Sequence, residues 1–257
     1  MKARSEALLF AALTATVLLA AGCRTPDQFQ KPQPDKASDI NLTLGIDYLQ
    51  KGNLSEAKDK IERSLSQNPR NANAHAAAGM LYSRLNDIDK ADSHFDRAVS
   101  LGNDDPEILN NYAAFLCTHA RYEKGEKIAL RAAVDQLYKT PEVAYLNAGN
   151  CARSGGNMKS AEDNFRKAIA VRPKFAPALY QMADLEFSQS QFLAARAFLE
   201  RYLAASRVNA SSLWLAVRIE RGLGNKSTAD DYARRLRNDY PSSPEAKALA
   251  EAERKPG

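Results

Sequence analysis

Three cysteines and three histidines are the residue types in this chain best suited to covalent or metal chemistry. His75, His94 and His119 form no His-x-x-x-His or Glu-x-x-His pair, the spacing that would put two ligands on one helix face, so no metal site is expected. Gly155-Gly156-Asn157 lacks the following Lys-Ser/Thr of a phosphate-cradling loop. No Gly-x-Ser-x-Gly elbow presents a nucleophilic serine. Acidic residues are numerous but dispersed, as on solvated helix faces. The expectation is a protein that is not an enzyme, with no cofactor and no small-molecule substrate. The cysteines Cys23, Cys117 and Cys151 need the elements around them before they can be read.

The 257 residues hold 36 basic and 31 acidic side chains, a formal charge of +5, with 44% hydrophobic and 26% charged residues. That is the composition of a folded chain and too apolar for a disordered one. The positive charge is small and interleaved with acids: Arg218 and Arg221 flank Glu220, and Arg234 and Arg235 follow Asp230 and Asp231. No nucleic-acid partner is expected.

Lys2 and Arg4 precede an apolar run from Ala7 to Ala21 that ends in Gly22-Cys23. The run falls short of the roughly 20 residues a spanning helix needs, and reads as a secretory signal over residues 1–22. Leu19-Ala20-Ala21-Gly22-Cys23 resembles the lipobox of bacterial lipoproteins, although Ala20 stands where leucine is commonest. The resemblance implies that Cys23 becomes the acylated mature N-terminus, held in the membrane by its acyl chains. It also implies sorting. Arg24 takes the place of the aspartate that retains lipoproteins in the inner membrane, so the expected location is the periplasmic face of the outer membrane. An ordinary cleaved signal with an incidental cysteine is the alternative. Residues 23–37, with prolines at 26, 32 and 34, read as a flexible tether.

The remainder repeats. Leu44-Gly45-x-x-Tyr48 with Ala57, Ile61 and Pro69 recurs as Ala78-Gly79-x-x-Tyr82 with Ala91, Phe95 and Ala98, and again as Ala148-Gly149-x-x-Ala152 with Ala161, Phe165, Ala168 and Pro173. Six copies follow one another, 38–71, 72–105, 106–141, 142–175, 176–209 and 210–243, the third lengthened by an insertion around Lys139-Thr140-Pro141. Their common period and the Gly/Ala/Tyr template are the tetratricopeptide pattern, two antiparallel helices per repeat. It predicts an all-α, right-handed superhelical solenoid over 38–243, with a capping helix and tail over 244–257. Small residues are expected where the two helices of one repeat touch, and large ones such as Tyr82 and Phe95 between repeats.

Cys117 and Cys151 fall in the first helices of adjacent repeats. Such helices lie about 8–10 Å apart, and facing side chains on them can meet disulfide geometry in an oxidising compartment. A clamp on that junction is expected, with two buried free thiols as the alternative. The first helices also line the inner face of such a solenoid. The template places Leu42, Ile46, Leu49, Met80, Asn110, Asn150, Tyr180 and Trp214 there. The first three form one helical stripe, expected to be an apolar strip open to a partner helix unless the tether or the next repeat covers it. The asparagines offer donor and acceptor to an extended peptide, or are solvated groove residues.

Asn110-Asn111-Tyr112-x-x-Phe115-Leu116-Cys117, Asn147-x-Gly149-x-Cys151 and Ala178-Leu179-x-x-Met182-Ala183 resemble the type IV pilus pilotin family, PilF and PilW. Its members are lipoproteins of six tetratricopeptide repeats. The resemblance implies a protein that binds the pilus secretin and promotes its outer-membrane localisation and multimerisation. A monomer is expected. A general repeat scaffold serving barrel proteins or peptidoglycan enzymes is the alternative.

Overall fold

A computed structural model describes residues 34–254. The signal segment, Cys23 and residues 24–33 of the tether lie outside the described residues. The helices are α1 (Pro34–Gln50), α2 (Leu54–Gln67), α3 (Ala72–Arg84), α4 (Ile88–Gly102), α5 (Pro106–Thr118), α6 (Tyr122–Ala133), α7 (Pro141–Ser154), α8 (Met158–Val171), α9 (Ala176–Ser188), α10 (Phe192–Ala205), α11 (Ala210–Gly222), α12 (Lys226–Asp239) and α13 (Pro244–Arg254). No strand occurs among the described residues. The first twelve helices form six antiparallel pairs, each packed on the next, and α13 lies against α11 and α12. The chain is a solenoid of tetratricopeptide repeats.

Each pair turns in the same way. A backbone bond closes each turn at 2.8–2.9 Å: Asn53 N–H to the Tyr48 carbonyl, Asp87 to Tyr82, Arg121 to Leu116, Asn157 to Ala152, Gln191 to Glu186 and Asn225 to Glu220. This satisfies a carbonyl that the ending helix would leave unpaired. The second helices stop at Gln67, Val171 and Asp239, just short of Pro69, Pro173 and Pro241. A proline there has no amide to continue the helix. Side chains cap several starts: Asn71 accepts from the Ala74 amide, Asp105 from Ile108 and Asn209 from Ser212.

Within a repeat, a small residue on the first helix lets the second approach. A Cβ built on Gly79 would lie 2.7 Å from the Phe95 ring. Between repeats, the same Phe95 ring stacks on Tyr112 with centroids 5.3 Å apart and packs against Phe115 at 5.2 Å. One boundary differs from the sequence reading. Residues 34–37, inside the stretch read as tether, already belong to α1.

Candidate functional site

The first helices carry a regular lattice of inner residues. One row, with one residue per repeat, runs Leu42, Ala76, Asn110, Leu146, Tyr180, Trp214; the next runs Ile46, Met80, Ala114, Asn150, Asp184, Arg218. Successive first helices touch in the pairs α1/α3, α3/α5, α5/α7 and α9/α11, whereas α7 and α9 approach less closely. A cleft of about 410 Å³ opens along repeat five, lined by Pro177, Tyr180, Gln181, Tyr202 and Asn209 among others, with Leu146 of α7 at one side.

The apolar stripe on α1 is not open. Leu42 and Leu49 are buried with Ala57 and Ile61 of α2 and Ala77 and Leu81 of α3, and Ile46 packs partly against the same cluster. Their i, i+4, i+7 spacing marks a core face, which the next repeat covers. The large apolar residues that α1 leaves exposed are Ile40 and Leu44.

Further along, the inner residues are half-buried and polar or aromatic. Met80 is partly buried and packs against the cores on both sides of it. Asn110 accepts from the Asn147 amide at 2.8 Å, a bond across repeats three and four. Asn150 is half-buried. The Tyr180 and Tyr202 rings meet at a tilt, with centroids 5.4 Å apart. Burial pushes the Tyr180 hydroxyl above its ordinary pKa, helped by the Asp184 carboxylate, so it stays a neutral donor. Asp184 joins three repeats: Arg153 donates to its Oδ2 at 2.5 Å and Arg218 lies 3.7 Å from its Oδ1. Arg153 also donates to Gln181 at 2.9 Å. The Arg218 guanidinium lies over the Phe187 ring at 4.6 Å and the Trp214 ring at 5.5 Å. Sequence reasoning does not single out Arg153, though it stands one helical turn from Asn150 on the same face.

Cys117 of α5 and Cys151 of α7 are paired as a disulfide with Cα atoms 5.2 Å apart. Gly125 of α6 lies beneath, where an added Cβ would stand 2.8 Å from one sulfur and 3.0 Å from the other. The histidines at 75 and 94 also meet, with Nδ1 atoms 3.0 Å apart, because α3 and α4 fold back as a hairpin and bring unrelated template positions together. Burial holds both below the usual histidine pKa, with His75 adding to the effect on His94. Among the described residues no cluster of three or more His, Cys, Asp or Glu could hold a metal ion.

Tetratricopeptide-repeat family models match residues 48–114, 143–175 and 211–243. The sequence is 28% identical to the type IV pilus assembly protein PilF of Pseudomonas aeruginosa over 243 residues, 95% of this chain and 96% of that one. The solved structure of Pseudomonas aeruginosa PilF superposes with a TM-score of 0.74, covering 85% of this chain and 98% of the other. PilW, a widely conserved type IV pilus biogenesis factor, superposes with a TM-score of 0.77 at 30% identity, covering 83% of this chain and 98% of PilW. With the same repeats, over nearly the whole of each relative, this chain belongs to the PilF/PilW family of tetratricopeptide-repeat type IV pilus biogenesis proteins.

Proposed function

We propose that this protein is a pilotin, a lipoprotein on the periplasmic face of the outer membrane that binds the type IV pilus secretin and promotes its localisation and multimerisation there. The observation that carries the reading is the 30% identity to PilW across 98% of that chain. Two features support it. The inner face of repeats four to six presents half-buried aromatic and charged groups, the residue types that anchor protein partners. The Leu19–Cys23 segment supplies an acylation site, and a tethered groove raises the effective concentration of secretin protomers at the bilayer. The protein's part is then capture and delivery, with no bond made or broken.

Membrane fractions from cells lacking the protein, blotted without boiling for secretin multimers, test this. Multimers are expected to be lost or displaced to the inner membrane, restored by the wild-type chain and poorly restored by Cys23→Ala. Normal multimers in the outer membrane would sink the reading and leave a repeat scaffold for another partner.

A further inference from the structure

The inner face changes chemistry along the solenoid. In repeats one and two its residues are aliphatic and largely consumed in packing, whereas in repeats four to six they line a cleft and include two arginines that share one aspartate. The cleft's volume of about 410 Å³ is at the small end for ligand pockets, room for one bulky side chain. Leu146, Pro177, Tyr180 and Tyr202 make its walls apolar and aromatic. One turn further along α9, Asp184 is shared by Arg153 and Arg218, so two guanidiniums face one carboxylate. The Nε of Arg218 is buried and has no hydrogen-bond partner among the described residues. A buried donor without a partner is uncommon and calls for an acceptor. Arg218 is held by its stacking on Phe187 and Trp214, and a guanidinium fork matches a carboxylate in two parallel bonds.

We propose that repeats four to six bind an extended peptide segment that seats one aromatic or bulky aliphatic side chain in the Tyr180–Tyr202 cleft and gives one Asp or Glu carboxylate, two positions away, to Arg218. The spacing follows from geometry. Arg218 lies in the inner row one helical turn beyond the row of Tyr180, as Asp184 follows Tyr180 on α9 and Arg218 follows Trp214 on α11, a rise of about 6 Å; two steps of extended chain span about 6.6 Å with both side chains on one side. A small rotation of Arg218, of the kind common at interfaces, turns its Nε edge to the ligand. This rests on the pilotin reading only for the source of the segment, an acidic stretch of the secretin.

The probe is a fluorescein-labelled Gly/Ser peptide carrying Tyr and Glu two positions apart, titrated with the full chain and followed by anisotropy. Saturable binding is expected, weakened at least about tenfold by Glu→Gln in the peptide or Arg218→Gln in the protein. Arg218→Glu should reverse the preference, favouring a Lys peptide over the Glu one. Absence of saturable binding, or equal affinity for the Glu and Gln peptides, would overturn the proposal. The peptide change needs no protein variant, so a variant that fails to fold leaves the test intact. Secretin multimers in cells carrying Arg218→Glu separate the two readings. Normal multimers beside reversed peptide preference keep the peptide site and remove the secretin from it, whereas loss of both ties them together.

Discussion

Glu186 stands where repeats two and three carry Tyr82 and Leu116, and its carboxylate is nearly buried on α9. Burial raises its pKa, the Glu162 carboxylate raises it further, and Arg166, whose Nη2 donates to it at 3.4 Å, opposes both. A folded-state pKa above the unfolded one means a contribution to stability that is present at acid pH and lost as pH rises through the folded value. Glu186→Gln should therefore raise the melting temperature at pH 7, with the difference from wild type shrinking toward pH 4. Thermal melts of both chains across that range check the sign, and a variant less stable at pH 7 would mean that the Arg166 pair outweighs burial. Gly125 shows a second kind of residue logic. Repeats two and four place glycine on the first helix, at Gly79 and Gly149, and alanine on the second, at Ala91 and Ala161. Repeat three exchanges them as Ala113 and Gly125, which frees the space beside the second helix that the Cys117–Cys151 bridge occupies.

At the scale of the element, the six turns share one left-handed residue, and their sequences do not. Gly52, Gly156 and Gly224 hold φ of +80°, +84° and +76°, while Asn86, Ala120 and Ser190 hold +59°, +58° and +61° at the equivalent positions. Glycine takes that conformation freely, asparagine with little difficulty, and alanine or serine at a cost of roughly 1–2 kcal/mol. Ala120→Gly and Ser190→Gly should each stabilise the chain by about 1 kcal/mol, less the greater freedom glycine has when unfolded, as measured by urea titration. The glycine turns are legible in the sequence, and so are the prolines that end α2, α8 and α12. The other turns are not, because repeat geometry imposes a conformation that Ala120 and Ser190 would not choose locally. Residues 35–37 mislead for the converse reason: polar residues after a run of prolines signal a tether in isolation, yet here they are part of α1. The bridge between α5 and α7 joins cysteines 34 residues apart on the first helices of adjacent repeats, two residues off the register that the insertion in repeat three sets. Closing a loop of that length should contribute about 3–4 kcal/mol by restricting the unfolded chain. Reduction should lower the unfolding free energy by that order with helical content kept. A cross-linked pair of peptides in a non-reduced digest is the direct check, and free thiols at both positions would dismiss the clamp.

Across the whole molecule, each repeat after the first buries the same two positions against the repeat before it. Ala74, Ile108, Ala144 and Ala178 at the first, and Ala78, Tyr112, Ala148, Met182 and Ala216 at the second, are all at most 2% exposed. Ile40 and Leu44, their counterparts in repeat one, are 62% and 41% exposed. The C-terminal end is treated differently: α13 lays Ala246 and Leu249 over Leu213, Val217 and Leu236. The sequence reading of Leu42, Ile46 and Leu49 as an open strip thus fails, since they are core, while the exposed apolar residues of α1 are Ile40 and Leu44. Hydrophobic spacing marks the face that packs and says nothing about one that has no neighbour among the described residues. The repeat supplies its own control. Ile40→Asn should change stability by no more than about 0.5 kcal/mol, as at an exposed site, while Ile108→Asn, the same position two repeats later, should cost several kcal/mol by leaving a cavity and a buried amide. Chemical denaturation of the two variants measures both. If stability passes from repeat to repeat through nearest neighbours, Ile108→Asn should also loosen amide protection in repeats two and three before the C-terminal ones. A large loss from Ile40→Asn would instead mean that something covers this end of the solenoid in solution.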